Sequence, residues 1–241
     1  MQRPAQARSD ALTVRTVVPE NKVRYLRYSR LFDRASDETI TNCEHLFVQR
    51  VCTKGHVLFR AGDAANLVYL VQRGMVRITR RTSDGKDILV AILGPGAIFG
   101  EEVVFSQVER STIAVCTAET LLWMARAEHV YGLLTRFPQL AVNVAKYLHE
   151  QHDNALAIVE DIAYLSVPQR LLRQLNRLAV EYGKPVADGV LLDIRLTQAD
   201  LAALIGTTRE TVCVQLAELA AEGLVRVEGR SIIVLKATAS V

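Results

Sequence analysis

Short apolar runs separated by glycines dominate the chain from about residue 51 to residue 124. Turn residues follow the runs closely, and Ser83, Asp84 and Gly85 together form a strong hairpin signal. Strands of this length and spacing are typical of an antiparallel sandwich or barrel. Upstream, the apolar spacing over 31–47 predicts one or two short helices. The predicted strands are 57–59, 68–71, 76–78, 88–91 and 120–124.

A stretch without glycine or proline follows Pro138 and runs to about Leu165. Since proline suits the first turn of a helix, the stretch predicts one helix of about seven to eight turns. Its apolar and small residues recur in alternating steps of four and three, which is the seam of a two-stranded coiled coil. We therefore expect this helix to pair with a second copy, the alternative being that it packs on its own barrel. The seam comprises Ala141, Ala145, Leu148, His152, Ala155, Val159 and Ile162.

Another helix is predicted to begin directly after the long one. Ser166 is placed to cap it, Pro168 suits its first turn, and Gln169 follows the serine by three positions and completes a capping box. The sequence therefore places a domain boundary here. Gly183 ends this helix, and the alternation over 190–196 predicts a short strand.

The segment from about Thr197 to Leu219 has the pattern of a helix-turn-helix. Thr197 opens a first helix, and Gly206 breaks it where a tight turn needs a positive φ. Thr207 and Glu210 are spaced as a capping box for the second helix. Such a motif places its second helix in the major groove of DNA.

Two charged residues stand at the start of that second helix. Arg209 can offer two parallel donors to guanine, and Glu210 can accept from the amino group of cytosine. Threonine hydroxyls and the helix N-terminus suit phosphate, and a hairpin after 224 suits a wing that carries Arg226 or Arg230. The residues expected to contact DNA are Thr197, Gln198, Thr207, Thr208, Arg209, Glu210, Thr211, Val214, Gln215 and Arg230.

Composition narrows the class of protein. With 241 residues, 50% of them hydrophobic and 23% charged, the chain can bury sizeable cores in one or two domains. Its four cysteines form no C-x-x-C pair and its five histidines show no metal-ligand spacing, so we expect no metal site, iron–sulfur cluster or disulfide framework. A cupin-type enzyme would share the glycine-punctuated barrel, but it would need clustered histidines.

Net charge is only +3 and is concentrated near the N-terminus, where residues 1–30 hold seven Lys or Arg against two Asp or Glu. We expect this basic leader to be flexible and solvated. No apolar run is long enough to span a bilayer and no secretory signal precedes the first domain, so we expect a cytoplasmic protein without a membrane partner.

These motifs together resemble the Crp–Fnr family of bacterial transcription regulators over about 31–236. The residues that carry the resemblance are Lys54-Gly55, Leu58 to Asp63, Phe99 to Glu101, Arg110-Ser111, the long helix and Gly206 to Val212. The implied fold is α+β: a flexible leader (1–30), an antiparallel β-roll or jelly-roll sensor domain (31–137), a long dimerisation helix (138–165) and a winged helix-turn-helix domain (166–241). The implied partners are a second copy, double-stranded DNA and RNA polymerase.

The resemblance also implies an effector site, formed by Gly100, Glu101, Glu102, Arg110 and Ser111. In cyclic-nucleotide-binding members, the matching stretch is a phosphate cassette in which Arg110 would pair with the cyclic phosphate and Glu101 would accept from the ribose hydroxyl. The cassette here is one residue shorter, and Ala155 and Leu156 stand where adenine would meet hydroxyls. Cyclic AMP as an allosteric effector, another ligand such as an oxo-acid, and no required effector are therefore three alternatives, with Arg110 a structural partner of Glu101 or Glu102 in the last.

The implied function is a sequence-specific, homodimeric transcription regulator that binds a palindromic site and is not an enzyme. The alternatives are an effector-independent activator of the same family and a cyclic-nucleotide-binding regulatory module without DNA contact. The recognition helix departs from the family at Val214, usually an arginine, and at Gln215, usually apolar. Val214 can touch a thymine methyl but cannot hold guanine, while Gln215 would either stay packed or rotate toward the groove.

Overall fold

A computed structural model of the chain describes residues 14–16, 22–83, 85, 87–105, 109–194, 196–229 and 231–235. The chain divides into two compact units, Met1–His149 and Glu150–Val241. Their strands are β1 (Val14–Thr16), β2 (Val48–Cys52), β3 (Val57–Phe59), β4 (Leu67–Arg73), β5 (Val76–Arg81), β6 (Asp87–Leu93), β7 (Ile98–Phe99), β8 (Ile113–Cys116), β9 (Thr120–Arg126), β10 (Gly183–Val186), β11 (Gly189–Leu192), β12 (Val225–Glu228) and β13 (Ser231–Leu235).

Helices occur in both compact units of the chain. They are α1 (Lys22–Leu26), α2 (Asp37–Cys43), α3 (Glu102–Phe105), α4 (Ala127–Arg136), α5 (Pro138–Tyr164), α6 (Val167–Tyr182), α7 (Gln198–Ile205) and α8 (Arg209–Ala221), with short 3₁₀ turns at Arg30–Phe32 and Glu44–Leu46. No helix of the described residues is long and apolar enough to cross a membrane.

Two antiparallel sheets form a sandwich in the N-terminal unit. One has the strand order β1-β2-β9-β4-β7 and the other β3-β8-β5-β6. Side chains from both sheets, including Tyr69, Val76 and Leu122, meet in one buried core. All five predicted strands are present, and β5 and β6 form the predicted hairpin. The β-roll expectation is thus confirmed.

A second core covers the other face of the five-stranded sheet. Trp123 and Leu70 from the sheet pack with Phe32 and Ile40 from the short N-terminal helices and turns. The start of α5 completes this core with Leu140, Val144 and Tyr147. These contacts show why the compact N-terminal unit includes the beginning of α5, whereas the capping pattern suggested a division at residue 166.

The expectation of a solvated leader over residues 1–30 is wrong for part of it. β1 pairs antiparallel with β2, and the side chains of Leu26 and Ser29 are buried. The sequence pattern missed these contacts because α1 is only five residues long and its anchoring partners lie far along the chain. Residues 1–13 and 17–21 lie outside the described residues.

The C-terminal unit packs α6, α7 and α8 against a four-stranded sheet of order β10-β11-β13-β12. Ser166 and Gln169 form the predicted capping box at the start of α6. The strand expected over 190–196 is shorter and earlier, since β11 ends at Leu192, and β10 starts at the glycine that ends α6. This unit is a helix-turn-helix followed by a β-hairpin.

Candidate functional site

The first helix of the helix-turn-helix is fixed by its cap. The Thr197 hydroxyl accepts from the backbone N–H of Asp200 at 3.1 Å, and the Asp200 carboxylate accepts from the backbone N–H of Thr197 at 3.0 Å. This reciprocal pair satisfies two backbone donors that the helix itself leaves open. Thr197 therefore has a structural role in addition to its predicted place near phosphate, and Gln198 beside it is half-buried.

The turn between α7 and α8 depends on Gly206. Its φ of 67° and ψ of 48° lie in the left-handed region, as the sequence predicted. The next residue, Thr207, donates its backbone N–H to the carbonyl of Ala202 at 2.9 Å, which closes the turn.

The cap of α8 differs from the predicted one. Thr208, not Thr207, is the N-cap, and its hydroxyl accepts from the backbone N–H of Thr211 at 3.2 Å. The two hydroxyls also hydrogen-bond to each other at 2.9 Å. Because Thr208 caps the helix, Arg209 and Glu210 occupy its first turn, and Glu210 is not a capping side chain.

The two faces of α8 have different environments. Val212, Leu216 and Leu219 are buried in the core of the C-terminal unit. Arg209 and Glu210 are exposed, and within the described part of the chain no ion pair joins them. The face that carries them is thus open to a partner, whereas the opposite face holds the helix in place.

Val214 and Gln215, the two positions that depart from the family pattern, lie in different environments. Val214 is 54% exposed on the open face, so it can contact a base edge. Gln215 is half-buried, and its side-chain N–H donates to the Glu218 carboxylate at 2.7 Å. Its side-chain oxygen is buried without a hydrogen-bond partner. Gln215 is thus partly packed, as in the first of its two alternatives, but it is not the fully satisfied core group that this alternative expects.

The wing hairpin is present, with Glu228 paired to Ser231 across its end. Arg226 on β12 is held by the carboxylates of Asp188 and Glu228. Hydrogen bonds to these two carboxylates raise the pKa of Arg226 further above its usual value. Arg230, the predicted wing contact, lies outside the described residues.

In the N-terminal unit, Arg110 is at the centre of the predicted effector cassette. Its guanidinium is buried, donates to the carboxylate of Glu102 at 2.6 Å and to the carbonyl of Gly100 at 3.1 Å, and also donates to the carbonyl of Leu67. The face of the guanidinium lies 4.3 Å from the centre of the Phe59 ring. Arg110 is therefore held by charge, hydrogen bonds and an aromatic surface together.

Gly100 is required by this arrangement. Its φ is 76°, and a Cβ at this position would lie 2.8 Å from Nη1 of Arg110 and 2.9 Å from the carbonyl oxygen of Leu67. Both contacts are shorter than side-chain carbons tolerate, and the backbone conformation itself disfavours other residues. The glycine thus lets the chain pass directly over the guanidinium.

The other predicted cassette residues differ in how deeply they are buried. Glu101 is half-buried, and burial raises its pKa to about 7, with the neighbouring Glu102 charge acting in the same direction. Ser111 is exposed. Residues 106–108, between α3 and Arg110 in sequence, lie outside the described residues.

An aromatic cluster that the sequence pattern does not predict lies beneath Arg110. Tyr69 and Phe99 stack with ring centres 4.8 Å apart, and Phe59 lies 5.8 Å from Tyr69. The cluster follows from the pairing of β4 with β7, which places Tyr69 opposite Phe99. Each aromatic residue alternates with its neighbours as a strand residue should, but the pattern did not say which strands pair.

The predicted dimer seam is mostly exposed on the single chain. Six of its seven residues, from Ala145 to Ile162, are exposed, with Val159 at 63%. Ala141 is the exception, because it is partly buried against the core of its own unit. The first residue of the predicted seam thus contacts its own unit, and the pairing of the seam with a second copy stays a prediction.

Both parts of the chain match known protein families. Residues 49–137 match the family "Cyclic nucleotide-binding domain", and residues 169–239 match the "Crp-like helix-turn-helix domain". The chain is 33% identical over 201 residues to the Cyclic AMP receptor protein of Thermus thermophilus, covering 83% of this chain and 90% of that protein. It is 29% identical over 181 residues to a CRP-like cAMP-activated global transcriptional regulator of Mycobacterium tuberculosis, covering 75% of this chain and 81% of the relative.

Among solved structures, the c-di-GMP responsive global regulator CLP of Xanthomonas campestris superposes with a TM-score of 0.68 at 23% identity, covering 83% of this chain and 99% of that one. That likeness shows the shared fold. The two domain matches and the identity to the Thermus protein extend over nearly the whole described chain. The chain therefore belongs to the Crp–Fnr family of DNA-binding transcription regulators.

Proposed function

We propose that this regulator binds a two-fold symmetric DNA site as a homodimer, reading bases through the first turns of α8. The observation that carries the proposal is the exposure of Arg209, Glu210 and Val214 on one face of a helix whose other face is buried. Arginine can pair with guanine N7 and O6, and glutamate can accept from cytosine N4. The capped N-terminus of α8 adds partial positive charge beside the phosphates.

Dimerisation is supported by the exposed seam of α5. Leu148, Val159 and Ile162 are apolar, substantially exposed and spaced as in a coiled coil. An apolar stripe of this kind is stable in water when a second helix covers it. A two-fold symmetric pair would present two copies of α8, and an operator made of two inverted half-sites would match them.

We further propose that signals enter through the cassette around Arg110. A cyclic nucleotide, cyclic AMP being the first candidate, would bring its phosphate to the one buried guanidinium there. The ion pair between Arg110 and Glu102 favours a second version, in which the chain regulates transcription without an effector. In either version the protein would act in the cytoplasm by recruiting or blocking RNA polymerase, without being an enzyme.

A gel-shift titration on promoter fragments of the source genome tests the DNA proposal. Affinity should fall steeply as salt rises, because cationic side chains displace counterions from the phosphates. Arg209→Ala should weaken specific binding by at least about tenfold, the loss expected for one bidentate base contact. Arg126→Ala, an exposed arginine of the N-terminal unit, is the matched control and should bind as the parent does. Failure to retard any fragment at any salt concentration would defeat the proposal.

A further inference from the structure

Arg110 is the group on which recognition of a cyclic nucleotide's phosphate would depend. Among the described residues of the cyclic nucleotide-binding domain, it is the only charged side chain that is buried. The phosphate is the only charged group of a cyclic nucleotide at neutral pH. A planar guanidinium in a site with little water is the side chain that binds such an anion best.

An anion of this chain already occupies that guanidinium. Nη1 of Arg110 meets the carboxylate of Glu102 at 2.6 Å, and the remaining donors described above point at two backbone carbonyls. An incoming phosphate would therefore exchange one ion pair for another instead of neutralising an uncompensated charge. The gain in free energy from the exchange is small, because the cost of burying the arginine is already offset in the unliganded protein.

The two partners differ in their freedom to move. The Arg110 side chain is 1% exposed and packed on Phe59, whereas the Glu102 side chain is 41% exposed and stands at the start of the four-residue helix α3. Any exchange would displace Glu102 and leave Arg110 in place. Glu101 adds a second carboxyl group close enough to feel the charges of both partners.

We propose that Glu102 acts as an internal anion that takes the place of an effector phosphate on Arg110, and so makes the cassette a poor receptor for cyclic nucleotides. Glu102 is then a specificity-determining residue. The carboxylate of Glu102 occupies Arg110 in place of a ligand, and DNA binding does not require a cyclic nucleotide. This inference rests on the second version of the proposed function, in which the chain regulates transcription without an effector.

Calorimetric titration of the full chain with cyclic AMP and cyclic GMP tests the inference. Glu102→Gln removes the carboxylate's charge with little change of shape and should bind cyclic AMP at least about tenfold more tightly than the parent chain. Glu109→Gln is the matched control, since Glu109 is an exposed neighbour of Arg110 in sequence and should leave the affinity unchanged. Equal affinities for the parent and Glu102→Gln would overturn the inference.

A second measurement uses the parent chain alone and so does not depend on how the variants fold. Its affinity for a bound promoter fragment should change by no more than about twofold when millimolar cyclic AMP is added. A larger increase would overturn the inference and leave the DNA proposal intact. Absence of DNA binding under every condition would defeat the DNA proposal, while a gain of nucleotide binding in Glu102→Gln would still support the role of Glu102.

Discussion

The carboxylate of Asp161 near the end of α5 is paired with Arg173 on α6 at 2.7 Å. It is buried, and its second oxygen pairs with Arg177 at 2.8 Å. Two arginines one turn apart on α6 thus pair with a single carboxylate. The contact fixes how the last turns of the long helix meet α6.

Asp161→Asn should destabilise the C-terminal unit. The substitution removes the negative charge while two arginines, one of them only 28% exposed at its side chain, remain beside it. We expect a loss of about 1–3 kcal/mol in the free energy of unfolding, less than for a fully buried pair because both arginines reach solvent. Urea denaturation followed by circular dichroism measures it. Glu160→Gln, at an exposed position of the same turn, is the control, and equal losses in both variants would contradict the account.

Val159→Glu should dissociate the proposed dimer. A carboxylate at this seam position, near the C-terminal end of α5, would be buried against its own copy in the partner helix, which opposes association by desolvation and repulsion. Sedimentation velocity at micromolar concentration should show monomers. Val180→Glu makes the same change at a position on α6 that is 91% exposed and lies outside the seam, so this variant should remain dimeric. A dimeric Val159→Glu protein would show that another surface mediates the assembly.

Glu101 should make stability depend on pH. Its pKa rises from 4.5 in a free side chain to about 7 in the folded protein, so the folded state holds the proton more tightly than the unfolded state. The stabilising effect of this proton is fully present below pH 4.5 and is lost as the pH rises through about 7.

Glu101→Gln isolates this effect from other titrations. The variant keeps a neutral side chain at every pH, so its stability relative to the parent should increase between pH 5 and pH 8 by on the order of 2 kcal/mol. Denaturation midpoints across this range measure the difference, with Glu109→Gln as the control for loss of a nearby carboxylate. A difference that stayed constant with pH would contradict the assignment.

Val214→Arg should change which DNA sequence is selected. Val214 is exposed about one turn after Arg209 and Glu210 on α8, and an arginine there would add two donors for guanine. The parent should keep the G·C contacts made by Arg209 and Glu210 and lack a strong guanine preference at this further position. Val180→Arg adds the same charge elsewhere in the unit and controls for attraction to phosphate alone. An unaltered preferred sequence for Val214→Arg would refute this view of specificity.

The elements that were predicted correctly depend on neighbours in sequence. The long helix follows from a stretch without glycine or proline after Pro138, and the start of α6 from the spacing of Ser166 and Gln169. The left-handed turn follows from Gly206 alone. Such signals lie within a few residues, so the fold class could be inferred from the sequence.

The features that were missed depend on contacts between distant segments. Arg110 donates to the carbonyl of Leu67, which is 43 positions away, and packs on the ring of Phe59. No periodicity reveals which of two adjacent glutamates, Glu101 or Glu102, will reach the guanidinium. Short elements such as β1 and α1 were missed for the same reason, since tertiary packing decides whether they form.

Selection of bound sequences from a random pool of double-stranded DNA shows whether the protein reads DNA as a dimer through α8. We expect enrichment of two inverted half-sites at one fixed spacing, each with a G·C preference that disappears in Arg209→Ala. The same symmetric site should be recovered with and without cyclic AMP. Enrichment of a single asymmetric motif, or of no motif, would contradict a dimer that reads DNA through α8.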